Sequence, residues 1–281
     1  MYKLAVLGYP IEHSLSPVMH EAAYRAMDLP ATYEKIAVKP ELLEDTLSRL
    51  LTSGYHGVNL TIPLKETVLP FLDAMDPAAK RIGAVNTILF ERGELHGYNT
   101  DGRGWVASFH EEMGQTITDK DVLVLGAGGA ARAILDALCD ANVKSITLYN
   151  RTQERAQALA ASVRQNHENV QLDVIENVND LQPFGLIINT TSVGLAEKNM
   201  TAMPISLSTI SSKTIVSDIV YRPLYTPFLM AAKEAGCPIH TGIGMLLHQG
   251  ALAIRTWFSM EPPRSVMRKA LLQQLGEQSE E

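Results

Sequence analysis

Cysteine is scarce in this sequence, which has only Cys139 and Cys237, about a hundred residues apart. This spacing excludes a CxxC metal or redox motif and a disulfide framework, and it favours structural thiols in a reducing compartment. No apolar run approaches the roughly 20 residues that cross a bilayer. The first residues, MYKLAVLGYP, have too few apolar side chains for a signal peptide. We therefore expect a cytoplasmic protein without a membrane partner.

Basic residues are also in short supply, with 24 Lys and Arg against 31 Asp and Glu and a formal net charge of −7. The resulting field repels nucleic-acid backbones and anionic membranes, so we expect neither as a partner. Any anionic ligand must be held by local groups. The eight histidines are scattered, and none has a Cys or carboxylate neighbour at metal-ligand spacing, so no metal site is predicted.

Short β-rich runs alternate with helical patterns along the whole chain, which predicts an α/β protein with mainly parallel sheets. Two series of strands are predicted: residues 3–7, 32–38, 57–60, 84–90 and 95–98, and then residues 121–126, 145–149, 171–175, 186–189 and 214–218.

The length of 281 residues favours two domains. We expect a first α/β domain over residues 1–101 and a doubly wound domain over residues 102–237. The helices of residues 238–281 are expected to return to the first domain. The polar stretch 195–203 is predicted to be a mobile loop, and the acidic tail 276–281 is predicted to fray.

A glycine-rich turn follows the strand that starts at Asp121. Gly126, Gly128 and Ala131 form a GxGxxA pattern directly before a helical run. Glycines there permit a tight turn and close approach of the backbone to a pyrophosphate, which the helix N-terminus attracts. The alternative is an ordinary strand-to-helix turn. The position of the motif favours a dinucleotide site.

The next strand ends without the acidic residue that NAD-binding proteins place near the ribose. It carries Asn150 and Arg151 instead, followed by Thr152 and Arg155. A guanidinium can grip the 2′-phosphate of NADP with two charge-assisted hydrogen bonds, whereas a carboxylate would repel it. Either arginine alone would be an ordinary surface charge, but the four residues together favour NADP over NAD.

The first domain contains a serine pair next to a predicted helix. Ser16 is suited to cap the helix that Pro17 begins, and this alone would explain one serine. Ser14 then has no structural explanation. Two hydroxyls beside a helix N-terminus are a favourable place for a small carboxylate.

Amide and hydroxyl side chains end two predicted strands, in the segments VNLT and AVNT. Ligands of open α/β sheets bind at the carboxyl ends of strands, so these residues indicate a hydroxyl-rich substrate, with turn formation as the alternative. Lys65 lies in a first helical turn, where a cation opposes the helix dipole. Asp101 would by itself be a helix cap, but paired with Lys65 it becomes an acid/base candidate.

The motifs SLSP, NLTIPLKE, AVNT, YNTDGRG, GAGGAAR, NRT and GMLLHQG occur in this order over nearly the whole chain. In this they resemble the shikimate dehydrogenase family. The resemblance implies a substrate domain, a Rossmann-type NADP domain, and NADPH-dependent reversible reduction of 3-dehydroshikimate to shikimate in aromatic amino acid biosynthesis. It also implies a small-molecule substrate and a monomer or homodimer.

The resemblance further assigns roles to matching positions. Lys65 and Asp101 would be the catalytic pair, with Lys65 the preferred proton carrier, although the sequence leaves the division of labour open. The implied substrate-binding residues are Ser14, Ser16, Asn59, Thr61, Lys65, Asn86, Asp101, Tyr221 and Gln249. The implied cofactor-binding residues are Gly126, Ala127, Gly128, Gly129, Ala130, Asn150, Arg151, Thr152, Arg155, Gly242 and Met245.

Two alternatives remain. A quinate/shikimate dehydrogenase would accept a second polyol acid and, in some cases, NAD. A non-catalytic dinucleotide-binding regulator would bind NADPH without turnover, which the intact Lys65 and Asp101 argue against.

Overall fold

The computed structural model describes residues 1–195 and 203–276. Most of the predicted loop at 195–203 and of the predicted fraying tail therefore lies outside the described residues. The chain divides into two compact units, one formed by Met1–Gly104 with the chain from Leu247 onward, the other by Trp105–Leu246. In the described parts of the chain, no helix has both the length and the apolar character needed to cross a membrane.

The first unit is built on a six-stranded sheet in the order β2-β1-β3-β5-β6-β4. Its strands are β1 (Tyr2–Gly8), β2 (Ala31–Ala37), β3 (Tyr55–Leu60), β4 (Ala74–Met75), β5 (Thr87–Glu91) and β6 (Glu94–Tyr98). Its helices along the first hundred residues are α1 (Ser16–Ala26), α2 (Leu43–Thr52), α3 (Leu64–Thr67) and α4 (Pro77–Ile82).

Strand direction in this sheet changes at β5. Strand β1 runs parallel to β2 and β3, whereas β5 is antiparallel to both β3 and β6. The register pairs Asn59 with Thr87 and Thr87 with Tyr98. The carboxyl ends of β1, β3 and β6 and the amino end of β5 therefore meet at one edge of the sheet.

The second unit has a six-stranded parallel sheet in the order β12-β11-β10-β7-β8-β9. Its strands are β7 (Asp121–Leu125), β8 (Ser145–Tyr149), β9 (Leu172–Ile175), β10 (Leu186–Asn189), β11 (Ile215–Asp218) and β12 (Ile239–His240). Numbered from β7, this is the strand order 3-2-1-4-5-6 of the Rossmann fold, read from the β9 edge.

The remaining helices are α5 (Asp101–Met113), α6 (Gly129–Asp140), α7 (Gln153–Asn166), α8 (Pro227–Glu234), α9 (Gly242–Phe258) and α10 (Arg264–Leu275). Helices α5 and α9 each contain a boundary between the units. Helix α10 packs against α1 in the first unit.

Both faces of the second sheet are buried, which explains its almost uninterrupted apolar strands. Val122 and Val124 of β7 pack with Trp105 of α5, while Leu123 of the same strand packs on the opposite face with Phe228 of α8. Successive side chains of a strand point to opposite faces, so a layer of helices on each side leaves no polar face.

The predicted fold class, a two-domain α/β protein with parallel-rich sheets, is confirmed. The two-residue strands β4 and β12 and the helix α8 were not predicted from the sequence pattern. The pattern also placed the start of the fourth strand at residue 84, whereas β5 begins at Thr87. The difference arises because the N–H of Val85 donates to the carbonyl of Lys65 (2.8 Å), outside the strand ladder.

Candidate active site

Lys65 and Asp101 form an enclosed ion pair at the edge where β1, β3, β5 and β6 meet. Lys65 lies in the single turn of α3 after β3, and Asp101 begins α5 after β6. Lys65 Nζ donates to Asp101 Oδ2 at 2.5 Å, and the two side chains are only 16% and 4% exposed. The structure thus brings the predicted catalytic pair into direct contact.

Asn86 holds Asp101 from the other side. Its Nδ2 donates to Asp101 Oδ1 (2.8 Å) and to Thr100 Oγ1 (2.9 Å), and it lies 3.4 Å from Gln249 Oε1. Its Oδ1 accepts the backbone N–H of Thr100 (2.9 Å), which fixes the orientation of the amide. Each Asp101 oxygen consequently accepts a hydrogen bond, one from Asn86 and one from Lys65.

The prediction that Asn86 ends a strand is wrong. Asn86 precedes β5 and lies at the same edge as Asn59 because β5 runs antiparallel to β3. The sequence pattern identified the residue but not the strand direction that places it there.

The side chain of Asn59 is hydrogen-bonded to other groups of the protein. Its Nδ2 donates to the carbonyl of Asn86 (3.1 Å) and to Thr87 Oγ1 (2.9 Å), and its Oδ1 accepts from the Tyr33 hydroxyl (2.7 Å). Both amide hydrogens are used, so only acceptor capacity on Oδ1 is left for a ligand. This geometry indicates that Asn59 stabilises the edge of the sheet. A contact between Asn59 and the substrate stays a prediction.

Tyr33 is a residue of this edge that the sequence pattern did not predict. It belongs to β2, it is buried, and its ring stacks on His20 with centroids 4.2 Å apart. Burial raises the pKa of the Tyr33 phenol. The phenol therefore keeps its proton and donates a hydrogen bond to Asn59 at any physiological pH. The only sequence signal for Tyr33 is an aromatic residue in a predicted strand. Aromatic residues are equally common in strands where they only pack in the core.

The two predicted carboxylate-binding serines follow β1 at this edge. The structural role at the start of the helix, expected of Ser16, belongs to Ser14. Helix α1 begins at Ser16, which does not cap it, and Leu15 occupies the cap position without a side-chain hydrogen bond. Ser14 Oγ instead accepts the N–H of Ser16 at 3.3 Å. A hydroxyl two residues before a backbone N–H can close this turn, so the structural explanation belongs to Ser14.

Thr61 follows β3 directly. Its N–H donates to the carbonyl of Leu7 (2.9 Å) and its carbonyl accepts the N–H of Leu64 (2.8 Å). In the part of the chain that the structure describes, its hydroxyl has no hydrogen-bond partner. The hydroxyl is therefore available to a ligand at the edge.

The glycine loop of the second unit fits a pyrophosphate. Gly126 directly follows β7 and has φ +112°, and a Cβ at Gly128 would meet nothing within 4 Å. Helix α6 begins at Gly129 without a side-chain cap or an acidic residue in its first turn. Free N–H donors and open space at a helix N-terminus are the features that phosphate binding needs, and Ala127 and Ala130 add no bulky group.

The predicted 2′-phosphate residues lie at the carboxyl end of β8. Arg151 and Arg155 are both exposed, and neither forms an ion pair with any described residue. Thr152 occupies the cap position of α7 but makes no side-chain capping bond, and its carbonyl accepts from Asn150 Nδ2 (2.8 Å). Two unpaired guanidinium groups one helical turn apart suit a dianionic phosphate.

The other predicted residues are distributed over both units. Tyr221 follows β11 in the second unit, and Gly242 and Met245 lie in the first turn of α9, also in the second unit. Gln249, further along α9, belongs to the first unit. Among the described residues, no group of three or more His, Cys, Asp or Glu could hold a metal ion.

Comparison with known proteins decides the family. The shikimate dehydrogenase substrate binding domain matches residues 6–88, the shikimate/quinate 5-dehydrogenase family matches residues 108–219, and the shikimate 5′-dehydrogenase C-terminal domain matches residues 242–272. The shikimate dehydrogenase (NADP(+)) of Geobacillus sp. (strain WCH70) is 43% identical over 96% of this chain and 98% of its own. The chain belongs to the shikimate dehydrogenase family.

Other members of the shikimate dehydrogenase family show the same extent of similarity. The shikimate dehydrogenase (NADP(+)) of Methanococcoides burtonii is 46% identical over 96% of this chain and 97% of its own. The crystal structure of shikimate 5-dehydrogenase from Thermus thermophilus with NADP(H) and shikimate has a TM-score of 0.88 and 39% identity, covering 97% of this chain and 99% of that one.

His20 makes the first unit sensitive to acid. Burial lowers the pKa of His20 to about 3, whereas the unfolded chain titrates it near 6.5. The unfolded state therefore binds the extra proton between these values, so the stability that neutral His20 contributes is complete above pH 6.5 and is lost as pH falls.

We expect the free energy of unfolding to fall by about 2 kcal/mol more in the wild type than in His20→Phe between pH 7 and pH 5. Urea unfolding followed by Trp257 fluorescence in a Trp105→Phe background measures it. The exposed His13→Phe is the matched control and should behave as the wild type does. If the wild type and His20→Phe lose the same free energy of unfolding between pH 7 and pH 5, His20 is not the source of the acid sensitivity.

Proposed function

We propose that this chain reduces 3-dehydroshikimate to shikimate reversibly with NADPH, as a step of aromatic amino acid biosynthesis. The observation that carries the proposal is the enclosed Lys65–Asp101 pair, held by Asn86 at a polar sheet edge in the unit that matches the substrate binding domain. The glycine loop and the two arginines after β8 support NADPH as the cofactor.

NADPH, when bound, supplies the hydride that the carbonyl carbon accepts, and the protein has to supply a proton to the carbonyl oxygen. The Lys65 ammonium has three N–H donors, of which one is used by Asp101. We assign proton transfer to Lys65. In shikimate oxidation the same amine accepts the proton from the hydroxyl.

Asp101 is assigned the orientation of Lys65 rather than proton transfer. Asn86 occupies one of its oxygens and Lys65 the other. A carboxylate held in this way fixes the position of the Lys65 side chain, so its remaining N–H groups point in one direction. Proton transfer from a positioned group typically accelerates a reaction by about 10² to 10⁴.

The remaining predicted residues are proposed to hold the substrate and the cofactor. Ser14 and Ser16 would bind the substrate carboxylate. The ring hydroxyls would be bound by Asn59, Thr61, Asn86, Asp101 and Gln249. Tyr221, in the second unit, stays a predicted substrate-binding residue. The first unit would be the substrate domain and the second the NADP domain. Cytoplasmic location and a monomeric or homodimeric state remain predictions.

A quinate/shikimate dehydrogenase is the second candidate, because the family that matches residues 108–219 includes quinate 5-dehydrogenases. The deciding experiment follows nicotinamide absorbance during oxidation of shikimate and of quinate, each with NADP and with NAD. Rapid turnover of shikimate with NADP alone supports the main proposal. Comparable turnover of quinate or with NAD supports the second candidate, and silence in all four assays refutes both.

Removal of the Lys65 amine tests its chemical role. We expect Lys65→Ala to lower kcat by roughly 100-fold or more while it changes shikimate binding far less, because the lost interaction is made mainly in the transition state. Steady-state kinetics and equilibrium binding measure the two quantities. Lys80→Ala, which removes an exposed lysine of α4, should leave both unchanged. Near-normal turnover of Lys65→Ala would refute proton transfer by this residue.

Cofactor selectivity tests the arginines. The double variant Arg151→Ala/Arg155→Ala should raise the KM for NADP by roughly 10- to 100-fold and leave the KM for NAD nearly unchanged, since only NADP carries the 2′-phosphate. Lys144→Ala, at the amino end of the same strand, is the control. Equal losses for NADP and NAD would rule out a 2′-phosphate site here.

A further inference from the structure

Asp218 is a buried carboxylate that no predicted site residue accounts for. It ends β11, and it is 1% exposed. Its Oδ1 accepts from Asn189 Nδ2 (2.9 Å) and from the N–H of Val220 (3.0 Å), and its Oδ2 accepts from Thr226 Oγ1 (2.7 Å). The three donors come from the end of β10, the loop after β11 and the cap of α8, so one carboxylate joins three segments.

The loop after β10 is organised from this point. Asn189 Oδ1 accepts both the N–H (3.1 Å) and the hydroxyl (2.7 Å) of Thr191. The neighbouring Thr190 donates its hydroxyl to the carbonyl of Leu125 (2.7 Å), and a Cβ at Gly126 would lie 2.6 Å from Thr190 Oγ1. The orientation of Asn189 therefore helps to place the segment that packs against the glycine loop.

The loop after β11 is organised in the same way. Asp218 binds the N–H of Val220, and residues 219–220 contact the start of α9. A Cβ at Gly242 would lie 2.4 Å from the carbonyl oxygen of Ile219 and 2.7 Å from that of Val220. The backbone of residues 219–220 therefore packs directly on Gly242, with no room for a side chain between them.

The strand order indicates which half of a dinucleotide these loops serve. In a 3-2-1-4-5-6 sheet the two halves of the dinucleotide lie on opposite sides of the point where the strand order reverses, here between β7 and β10. Arg151 and Arg155 follow β8, which assigns the adenosine half to that side. The loops after β10 and β11 then belong to the nicotinamide side.

We propose that Asp218 is a positioning residue for the nicotinamide half of the NADPH site, acting through Asn189, Val220 and Thr226. It makes no contact with the cofactor itself. The proposal rests on the proposed function, because it requires that the second unit binds NADPH. Asp218 would affect the binding of the nicotinamide end of the cofactor, whereas Arg151 and Arg155 would bind the adenosine end.

The test compares two nucleotides that share the adenosine half. Asp218→Asn replaces one acceptor oxygen by an NH₂ group, so at least one of the three donors loses its partner. We expect the Kd for NADPH, measured by its fluorescence, to rise roughly tenfold. The Kd for 2′,5′-ADP, measured by calorimetry, should stay within about twofold, because this ligand lacks the nicotinamide half. Burial raises the pKa of Asp218 to about 7, so the measurements are made at pH 8.5, where the carboxylate is ionised.

Two controls separate positioning from a general loss of folding. Asp121→Asn removes a carboxylate at the amino end of β7, in the same sheet, and should leave both Kd values unchanged. If Asp218→Asn does not fold, Thr226→Val and Thr226→Ser replace it. The valine variant lacks the donor to Asp218 and should weaken NADPH binding alone, and the serine variant should restore it.

The possible results are distinct. Unchanged NADPH affinity in Asp218→Asn, or equal weakening of NADPH and 2′,5′-ADP, would overturn the positioning role and leave the proposed function intact. Failure of the wild type to bind either nucleotide would refute the proposed function and this proposal together.

Discussion

The side chain and carbonyl of Asn86, which precedes β5, connect the ends of β3 and β6 at the polar edge of the first sheet. The carbonyl accepts from Asn59 and from the N–H of Leu60, and the side chain binds Thr100 and Asp101. The Lys65–Asp101 pair is placed by these bonds. A buried amide with all its hydrogens donated has one stable orientation, since a flip would set donor against donor and acceptor against acceptor.

Much of the molecule follows from local patterns in the sequence. Apolar runs and glycine turns predicted the α/β class and most of the strands, because strand and helix periodicities are local properties. The polar residues Lys65 and Asn86 stood out because their types conflict with the elements around them, whereas Asp101 suits a helix start and stood out only through its pairing with Lys65. Such conflicts between local preference and position are typical of functional residues.

The parts that could not be predicted depend on contacts distant in sequence. The antiparallel direction of β5 is set by pairing with β3, nearly 30 residues away, and no local pattern encodes it. The hydrogen bond from Tyr33 to Asn59 joins strands that are not adjacent in the sheet. In the sequence, Asp218 is an ordinary residue at the end of a strand. Only the structure shows that donors from three separate segments bind its carboxylate.

The occupied amides of Asn59 and Asn86 affect the entropy of ligand binding. Association normally costs rotamer freedom for each side chain that becomes ordered, about 0.5–1.5 kcal/mol for flexible ones. These two amides are already fixed by protein partners before any ligand arrives. Binding at this edge therefore does not have to order these two side chains. A rigid array of acceptors and donors also distinguishes hydroxyl stereochemistry by geometry, because it cannot adjust to a misplaced oxygen.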